Sequence, residues 1–284
     1  MDIQKMVVIG LGTMGSGIVQ TGLMAGFQVM AMDSDPEKAE KTTATISKAL
    51  TKLVEKGKME QSAMDNAMGR LSVTSDLKRA ADADFVIEAS VEDIEVKKTL
   101  FQELDRICKP ETILASNTSS LSITDIASVT KRPEKVIGMH FFNPAPTIKL
   151  LEVVVGHVTS NDTYDTVCAV GEKMGKTIVT SQDKAGFIVN RLVIPFINEA
   201  VFLLEEGVGT REDIDHGSKL GLNHPMGPLE LADLIGLDVM VAIMDALYDE
   251  LKDSKYRCAP LMRRMVRAGH LGRKTGKGFY TYEI

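Results

Sequence analysis

The chain has 284 residues, a length that predicts about two domains. Hydrophobic residues make up 44% of it and charged residues 25%, which excludes a disordered, collagen-like or coiled-coil chain. Acidic side chains outnumber basic ones by 39 to 33, and the formal charge of −6 argues against a dedicated nucleic-acid binder. Three widely spaced cysteines, Cys108, Cys168 and Cys258, indicate a reduced, intracellular chain rather than a disulfide scaffold.

No stretch of the sequence is suited to cross a membrane. The most apolar one, residues 187–204, contains Asn190, Arg191 and Glu199, which are too polar for about 20 residues in lipid. The first residues also lack the basic region and the small-residue cleavage site of a signal peptide. We therefore expect a cytoplasmic protein.

Up to about residue 183, short apolar runs alternate with segments of helical composition. Helices are predicted over residues 14–25 and 36–56, the second one beginning at Asp35-Pro36. This alternation predicts a doubly wound α/β sheet whose strands are covered by helices on both faces. The predicted strands are residues 6–9, 27–32, 85–87, 113–115, 136–139 and 150–155.

After Lys184 the pattern changes to long amphipathic stretches. No convincing strand recurs before Gly278-Phe279-Tyr280, and Pro195 lies inside one stretch, where it should kink a helix. We therefore predict two domains: residues 1–183 form the sheet domain, and residues 184–284 form an all-helical domain.

A glycine-rich turn follows the first predicted strand. Gly10, Leu11, Gly12, Thr13, Met14 and Gly15 form a GxGxxG motif between a strand and a helix, and the second strand is followed by Asp33. This context is typical of a Rossmann-type dinucleotide site, in which the helix N-terminus binds the pyrophosphate. Asp33 would accept hydrogen bonds from the ribose hydroxyls, and its negative charge would repel a 2′-phosphate. Both effects favour NAD over NADP. The alternative is an ordinary glycine turn with a surface aspartate.

One histidine occupies a position suited to catalysis. His140, His157, His216, His224 and His270 show no metal-ligand spacing, so no metal site is predicted. His140, however, follows a buried-looking strand, where doubly wound sheets bind ligands. Glu152 lies within the apolar run of residues 150–155, and a buried carboxylate needs a partner. A pair of His140 with Glu152 would satisfy the carboxylate and fix the imidazole tautomer, although spacing alone does not establish contact.

Six segments in order resemble the short-chain L-3-hydroxyacyl-CoA dehydrogenases, over essentially the whole chain. They are GLGTMG (10–15), ASNTSSL (115–121), IGMHFFNP (137–144), GFIVNR (186–191), NHPMGP (223–228) and GRKTGKGFY (272–280). The resemblance implies an oxidoreductase that interconverts (S)-3-hydroxybutyryl-CoA and acetoacetyl-CoA with NAD(H). It also implies a homodimer or a higher homo-oligomer assembled through the helical domain.

The same resemblance implies roles for individual residues. His140 matches the general acid/base and Glu152 the carboxylate that orients it, while Ser119 and Asn190 match the pair that holds the C3 oxygen. Lys52 and Lys56 match positions near the CoA phosphates. Besides the glycine-rich turn and Asp33, the residues implied to contact NAD are Glu92, Lys97, Ser119, Asn143 and Lys274.

The same residues also allow interpretations that involve no catalysis or a different substrate. Residues 117–120 could be a polar turn, Asn190 a helix cap or a buried polar residue, and the lysines a solvated helix face. The chain could also be a related dehydrogenase for a free hydroxy acid or a sugar acid such as gulonate, although the lysines favour CoA. A non-catalytic NAD-binding structural protein is a further alternative, which the presence of His140, Glu152, Ser119 and Asn190 argues against.

Overall fold

The computed structural model describes residues 3–283. Its contacts divide the chain into two compact units, with the division between Lys184 and Ala185. Within residues 3–283, no helix combines the length and the apolar character needed to cross a bilayer.

The first unit is built on one eight-stranded sheet, which confirms the predicted doubly wound α/β fold. The strand order is β3-β2-β1-β4-β5-β6-β7-β8, and neighbouring strands are parallel except at the antiparallel β6–β7 pair. The strands are β1 (Lys5–Ile9), β2 (Gln28–Met32), β3 (Leu71–Thr74), β4 (Phe85–Glu88), β5 (Ile113–Ser116), β6 (Val136–Phe141), β7 (Leu150–Val155) and β8 (Thr177–Gln182).

The strand order reverses between β1 and β4, because the chain first builds β2 and β3 on one side of β1 and then β4 on the other. Ligands of open α/β sheets bind in the crevice beyond the carboxyl ends of the strands at such a point. The topology therefore places the glycine-rich turn after β1 and the turn after β4 at the edge where a dinucleotide is expected.

Helices cover the sheet, and several of them begin at side-chain caps. Asp35 accepts a hydrogen bond from Glu37 N at the start of the second helix, and Asp93 accepts from Glu95 N and Val96 N at the start of the fourth. The helices of this unit are α1 (Thr13–Met24), α2 (Pro36–Glu55), α3 (Gln61–Met68), α4 (Ile94–Ile107), α5 (Ile123–Ala127) and α6 (Asn161–Lys173), with 3₁₀ turns at Leu77–Asp82 and Pro133–Lys135.

Two strands of the sheet, β3 and β8, were not predicted. Both are edge strands, and most of their side chains are exposed or half-buried. They therefore lack the continuous apolar run that marks a strand covered on both faces. Strand β6, in contrast, is buried at all six positions.

The second unit is helical, as predicted. It contains α7 (Val189–Glu205), α8 (Arg211–Gly221), α9 (Pro228–Ile235), α10 (Leu237–Leu251) and α11 (Pro260–Arg267), with 3₁₀ turns at Ser254–Tyr256 and Arg273–Thr275. Helix α7 continues through Pro195 as one element.

The segment Gly278-Phe279-Tyr280 forms bends rather than the strand that the sequence suggested. It is flanked by isolated bridges that pair Lys277 with Gly272 and with Thr281. The buried carboxylate of Asp233 holds this segment by accepting hydrogen bonds from Phe279 N and Tyr280 N, each at 2.9 Å. A single carboxylate thus provides acceptors that a neighbouring strand would otherwise supply.

Candidate active site

The glycine-rich turn is closely packed at two of its three glycines. Gly10 has φ +90°, and a Cβ there would lie 2.6 Å from Ala89 O and Ser90 N, while a Cβ at Gly15 would lie 1.7 Å from Gly10 O. Packing therefore requires glycine at both positions. A Cβ at Gly12 would meet no protein atom within 4 Å, so packing does not explain that glycine. The open space at Gly12 fits the GxGxxG motif, in which the second glycine allows a pyrophosphate to approach the backbone closely.

Asp33 lies directly after β2 and is joined to this turn. Its Oδ2 accepts a hydrogen bond from Leu11 N at 2.8 Å, and its Oδ1 accepts one from Asp35 N at 3.0 Å. Each carboxylate oxygen can accept more than one hydrogen bond, so both can also bind a ribose hydroxyl. Asp33 lines a cleft of about 850 Å³ together with Gly10, Gly12 and the turn after β4.

The structure brings His140 and Glu152 together. They are register partners on β6 and β7, and the His140 Nδ1 lies 2.7 Å from the Glu152 Oε2. Both residues are buried, and the imidazole packs on the Phe142 ring with the centroids 4.3 Å apart. Because Nδ1 is directed at the carboxylate, this contact fixes the orientation of the imidazole.

Glu92, Lys97 and Ser119 form a connected polar cluster. The Glu92 Oε1 accepts hydrogen bonds from Thr118 Oγ1 at 2.7 Å and from Ser119 N at 2.8 Å, and its Oε2 lies 3.5 Å from the Lys97 Nζ. Burial alone would raise the pKa of Glu92, but the charge of Lys97 and these hydrogen bonds outweigh it and lower the pKa below 4.5. Glu92 is therefore an anion at neutral pH.

One residue of this cluster was not predicted from the sequence. Glu88, the last residue of β4, is fully buried and lies 2.6 Å from the Lys97 Nζ. The signal that singled out Glu152, a carboxylate within an apolar strand, also applies to the sequence Phe85-Val86-Ile87-Glu88.

Asn143 lies in the connection between β6 and β7 and lines a second cavity of about 550 Å³ beside the glycine-rich turn. A residue that the sequence analysis missed, Lys176, supports this connection. Its Nζ donates hydrogen bonds to Ala145 O and to Ile148 O, the latter at 2.7 Å. Burial lowers the pKa of Lys176. The sequence alone gives little indication of such a role for Lys176, because its acceptors are backbone carbonyls that are distant from it in the sequence.

The remaining predicted residues are distributed over both units. Lys52 and Lys56 are exposed at the C-terminal end of α2 in the first unit. Asn190 and Lys274 belong to the second unit: Asn190 is half-buried near the start of α7, and the Lys274 Nζ lies 2.6 Å from the Asp238 carboxylate. In the part of the chain described, no group of three His, Cys, Asp or Glu side chains is placed to hold a metal ion.

Comparison with known proteins covers both units. Residues 5–184 match the family model of the 3-hydroxyacyl-CoA dehydrogenase NAD binding domain, and residues 186–282 match the C-terminal domain of that family. A probable 3-hydroxybutyryl-CoA dehydrogenase of Bacillus subtilis is 52% identical over 283 residues, 100% of this chain and 99% of the relative. A 3-hydroxybutyryl-CoA dehydrogenase of Clostridioides difficile is 53% identical over 278 residues, 98% of this chain and 99% of the relative.

A solved structure shows the same fold over the full length. The (S)-3-hydroxybutyryl-CoA dehydrogenase PaaH1 of Ralstonia eutropha superimposes with a TM-score of 0.98 at 44% sequence identity, covering 100% of both chains.

Proposed function

Because the chain belongs to the 3-hydroxyacyl-CoA dehydrogenase family, whose NAD binding domain it contains, we propose that this NAD-dependent dehydrogenase interconverts (S)-3-hydroxybutyryl-CoA and acetoacetyl-CoA. All three relatives named above carry 3-hydroxybutyryl-CoA in their names. The observation that carries the mechanism is the buried His140–Glu152 pair at 2.7 Å.

His140 is the general acid/base. In the oxidation, the neutral imidazole removes the hydroxyl proton through Nε2 as the C3 hydride leaves, and in the reduction the imidazolium returns that proton. NAD supplies the hydride acceptor or donor. Glu152 holds the proton of the neutral ring on Nδ1 and stabilises the imidazolium once it forms, the division of labour of histidine and aspartate in a protease triad.

Ser119 and Asn190 support the C3 oxygen while it carries negative charge. Both are hydrogen-bond donors, which is the chemistry that a developing alkoxide requires. The Ser119 backbone and side chain are held by Glu92, through contacts of 2.8 and 3.1 Å. The Ser119 hydroxyl has one proton, which it donates to Glu92 in this arrangement, so it turns toward the substrate to donate to the charged oxygen while the backbone stays held.

The proposed NAD site lies along the crevice at the carboxyl ends of β1 and β4. The glycine-rich turn takes the pyrophosphate at the N-terminus of α1, and Asp33 takes the adenosine ribose. Within the first unit, Glu92, Lys97, Ser119 and Asn143 contribute to the site, and the family resemblance implies a contact of Lys274 with NAD. Lys52 and Lys56 supply positive charge for the CoA phosphates.

A homodimer is the proposed assembly, formed through the helical unit. The support is the family resemblance together with large apolar side chains exposed on that unit, among them Leu192 at 70% and Leu220 at 85%. Light scattering after gel filtration should give twice the mass of one chain, and a monomer at working concentration would contradict the proposal.

The direct test of function is to mix the purified protein with NADH and acetoacetyl-CoA and to follow the loss of NADH absorbance. Rapid turnover is expected with the thioester, and none with free acetoacetate. Turnover of the free acid or of gulonate with NAD would instead support a free-acid dehydrogenase. Binding of NADH without any turnover would support the non-catalytic alternative.

A further inference from the structure

Glu88 connects three elements at the edge of the sheet where the cofactor is expected. Its Oε1 accepts hydrogen bonds from Ser90 N at 2.6 Å and from Ser90 Oγ at 2.7 Å, and lies 2.6 Å from the Lys97 Nζ on α4. Its Oε2 accepts from Ser116 Oγ on β5 at 2.6 Å. A fully buried carboxylate is costly, and a buried ion pair is weak evidence for a stabilising role, so this arrangement calls for a reason other than stability.

The contact with Ser90 links Glu88 to the glycine-rich turn. Gly10 packs directly on the turn formed by Ala89 and Ser90, so closely that a Cβ on Gly10 would lie 2.6 Å from Ser90 N. The same turn is joined to β1 by the hydrogen bond from Ala89 N to Ile9 O at 2.7 Å. Because it accepts the hydrogen bond from Ser90 N, Glu88 holds the Ala89–Ser90 turn in place, and the glycine-rich turn is packed against that turn.

The contacts with Lys97 and Ser116 link Glu88 to Ser119. The Lys97 Nζ lies between two carboxylates, 2.6 Å from Glu88 and 3.5 Å from Glu92, and Glu92 in turn accepts Ser119 N. Ser116 Oγ donates a hydrogen bond to Glu88 and also accepts one from Thr118 N at 3.3 Å. Two short routes therefore run from Glu88 to the segment that carries Ser119, one through the Lys97–Glu92 ion pair and one through the Ser116 hydroxyl.

We propose that Glu88 is a positioning residue that sets both ends of the NAD site, the glycine-rich turn through Ser90 and the Ser119 segment through Lys97 and Ser116. The inference rests on the roles proposed above for Lys97, Glu92 and Ser119. With the charge of Glu88 removed, Glu92 is the one carboxylate still within 4 Å of the Lys97 Nζ among the described residues. Lys97 then moves toward Glu92 and draws it away from Ser119.

The test is Glu88→Gln, which keeps the shape and one acceptor but removes the charge. NADH affinity is measured by fluorescence titration without substrate, beside a thermal melt and the kcat and KM for acetoacetyl-CoA. We expect NADH to bind about tenfold more weakly, which corresponds to roughly 1.4 kcal/mol, and kcat to fall further than the KM for the thioester rises.

Asp105→Asn is the matched control. Asp105 lies on α4, the helix that carries Lys97; its carboxylate is buried, and it pairs with Arg132 at 2.8 Å. Its loss should lower the melting temperature but leave NADH affinity within about twofold. Wild-type NADH affinity in Glu88→Gln would overturn the proposal, as would equal weakening in Asp105→Asn, because the effect would then be general destabilisation.

Ser116→Ala provides a second variant that retains the ion pair and is tested whether or not Glu88→Gln folds. It removes one of the two routes to Ser119 and should weaken NADH binding about threefold, and unchanged affinity would count against the proposal. A protein that binds NADH normally but does not turn over acetoacetyl-CoA would refute the proposed function instead. The titration therefore separates the two failures.

Discussion

Asp33 accepts the Leu11 N–H at 2.8 Å, so the residue expected to choose the cofactor also fixes the turn that binds it. These two roles can be separated by substitution. Asp33→Asn keeps an oxygen that can accept from Leu11 N but removes the charge that repels a 2′-phosphate, whereas Asp33→Ser shortens the side chain and loses both.

We expect Asp33→Asn to narrow the preference for NADH over NADPH while NADH affinity falls only a few-fold. Asp33→Ser should narrow it as well, but with a larger loss of NADH affinity, because the hydrogen bond to the turn is gone. Titration of both variants with both cofactors measures this difference. A wild-type enzyme that prefers NADPH would show that the role assigned to Asp33 is wrong.

Replacing His140 with Gln should lower kcat about 10²–10⁴-fold, the usual contribution of a positioned acid/base. NADH binding should change little, because the proposed role of His140 is proton transfer and not cofactor binding. Glu152→Gln should also be slow, since a neutral amide does not stabilise the imidazolium. Steady-state kinetics with acetoacetyl-CoA check both variants, and nearly full activity of His140→Gln would remove His140 from the mechanism.

The double variant Lys52→Ala with Lys56→Ala should raise the KM for acetoacetyl-CoA about tenfold, roughly 1.4 kcal/mol, and leave kcat unchanged. The proposed contacts with the CoA phosphates would be far from C3 and equal in the ground and transition states, so their loss should affect binding alone. Added salt should reduce the difference because both lysines are exposed.

Two controls accompany that variant. Lys48→Ala, on the same helix, should leave KM unchanged. A pantetheine thioester of acetoacetate lacks the nucleotide phosphates, so the double variant should use it as well as the wild type does. Equal impairment with that truncated substrate would mean that Lys52 and Lys56 do not bind the CoA phosphates.

Glu92 should make stability depend on pH. Its pKa in the folded chain lies below the ordinary value of 4.5, so the anion stabilises the fold above that value, and this contribution disappears as the pH falls through the folded pKa. The difference in free energy of unfolding between wild type and Glu92→Gln should therefore be constant from about pH 7 to pH 6 and shrink below pH 4.5. Urea unfolding at several pH values measures it, and a difference independent of pH would contradict the assigned cause.

The sequence predicted the elements whose signal is local. The continuous apolar runs at residues 6–9, 85–87 and 113–115 lie within β1, β4 and β5, and the strand at residues 150–155 was placed with the bounds that the structure gives it. The edge strands β3 and β8 have mixed burial, so hydropathy alone could not locate them. The glycine-rich turn and Asp33 were likewise found because their motif occupies one strand–helix–strand unit.

Residues that act through distant contacts were harder to find. Glu88 meets Ser116 across 28 positions, and Lys176 meets Ala145 across 31. The apolar run before Glu88 indicates a buried carboxylate, but no local pattern identifies the partners of either residue, which come together only when the sheet assembles. The contact of His140 with Glu152 was suggested by the cost of a buried carboxylate, but only the antiparallel register brings the two atoms to 2.7 Å.

The reversal of direction between β6 and β7 also limits how the sequence can change. Side chains alternate between the two faces of a strand, so a slip of one residue in this ladder would turn Glu152 to the face opposite His140. An insertion or deletion in the connection of residues 142–149 is therefore compatible with the pair only when the loop absorbs it without moving β7. The length of that loop is constrained by ladder alignment as well as by the residues it carries.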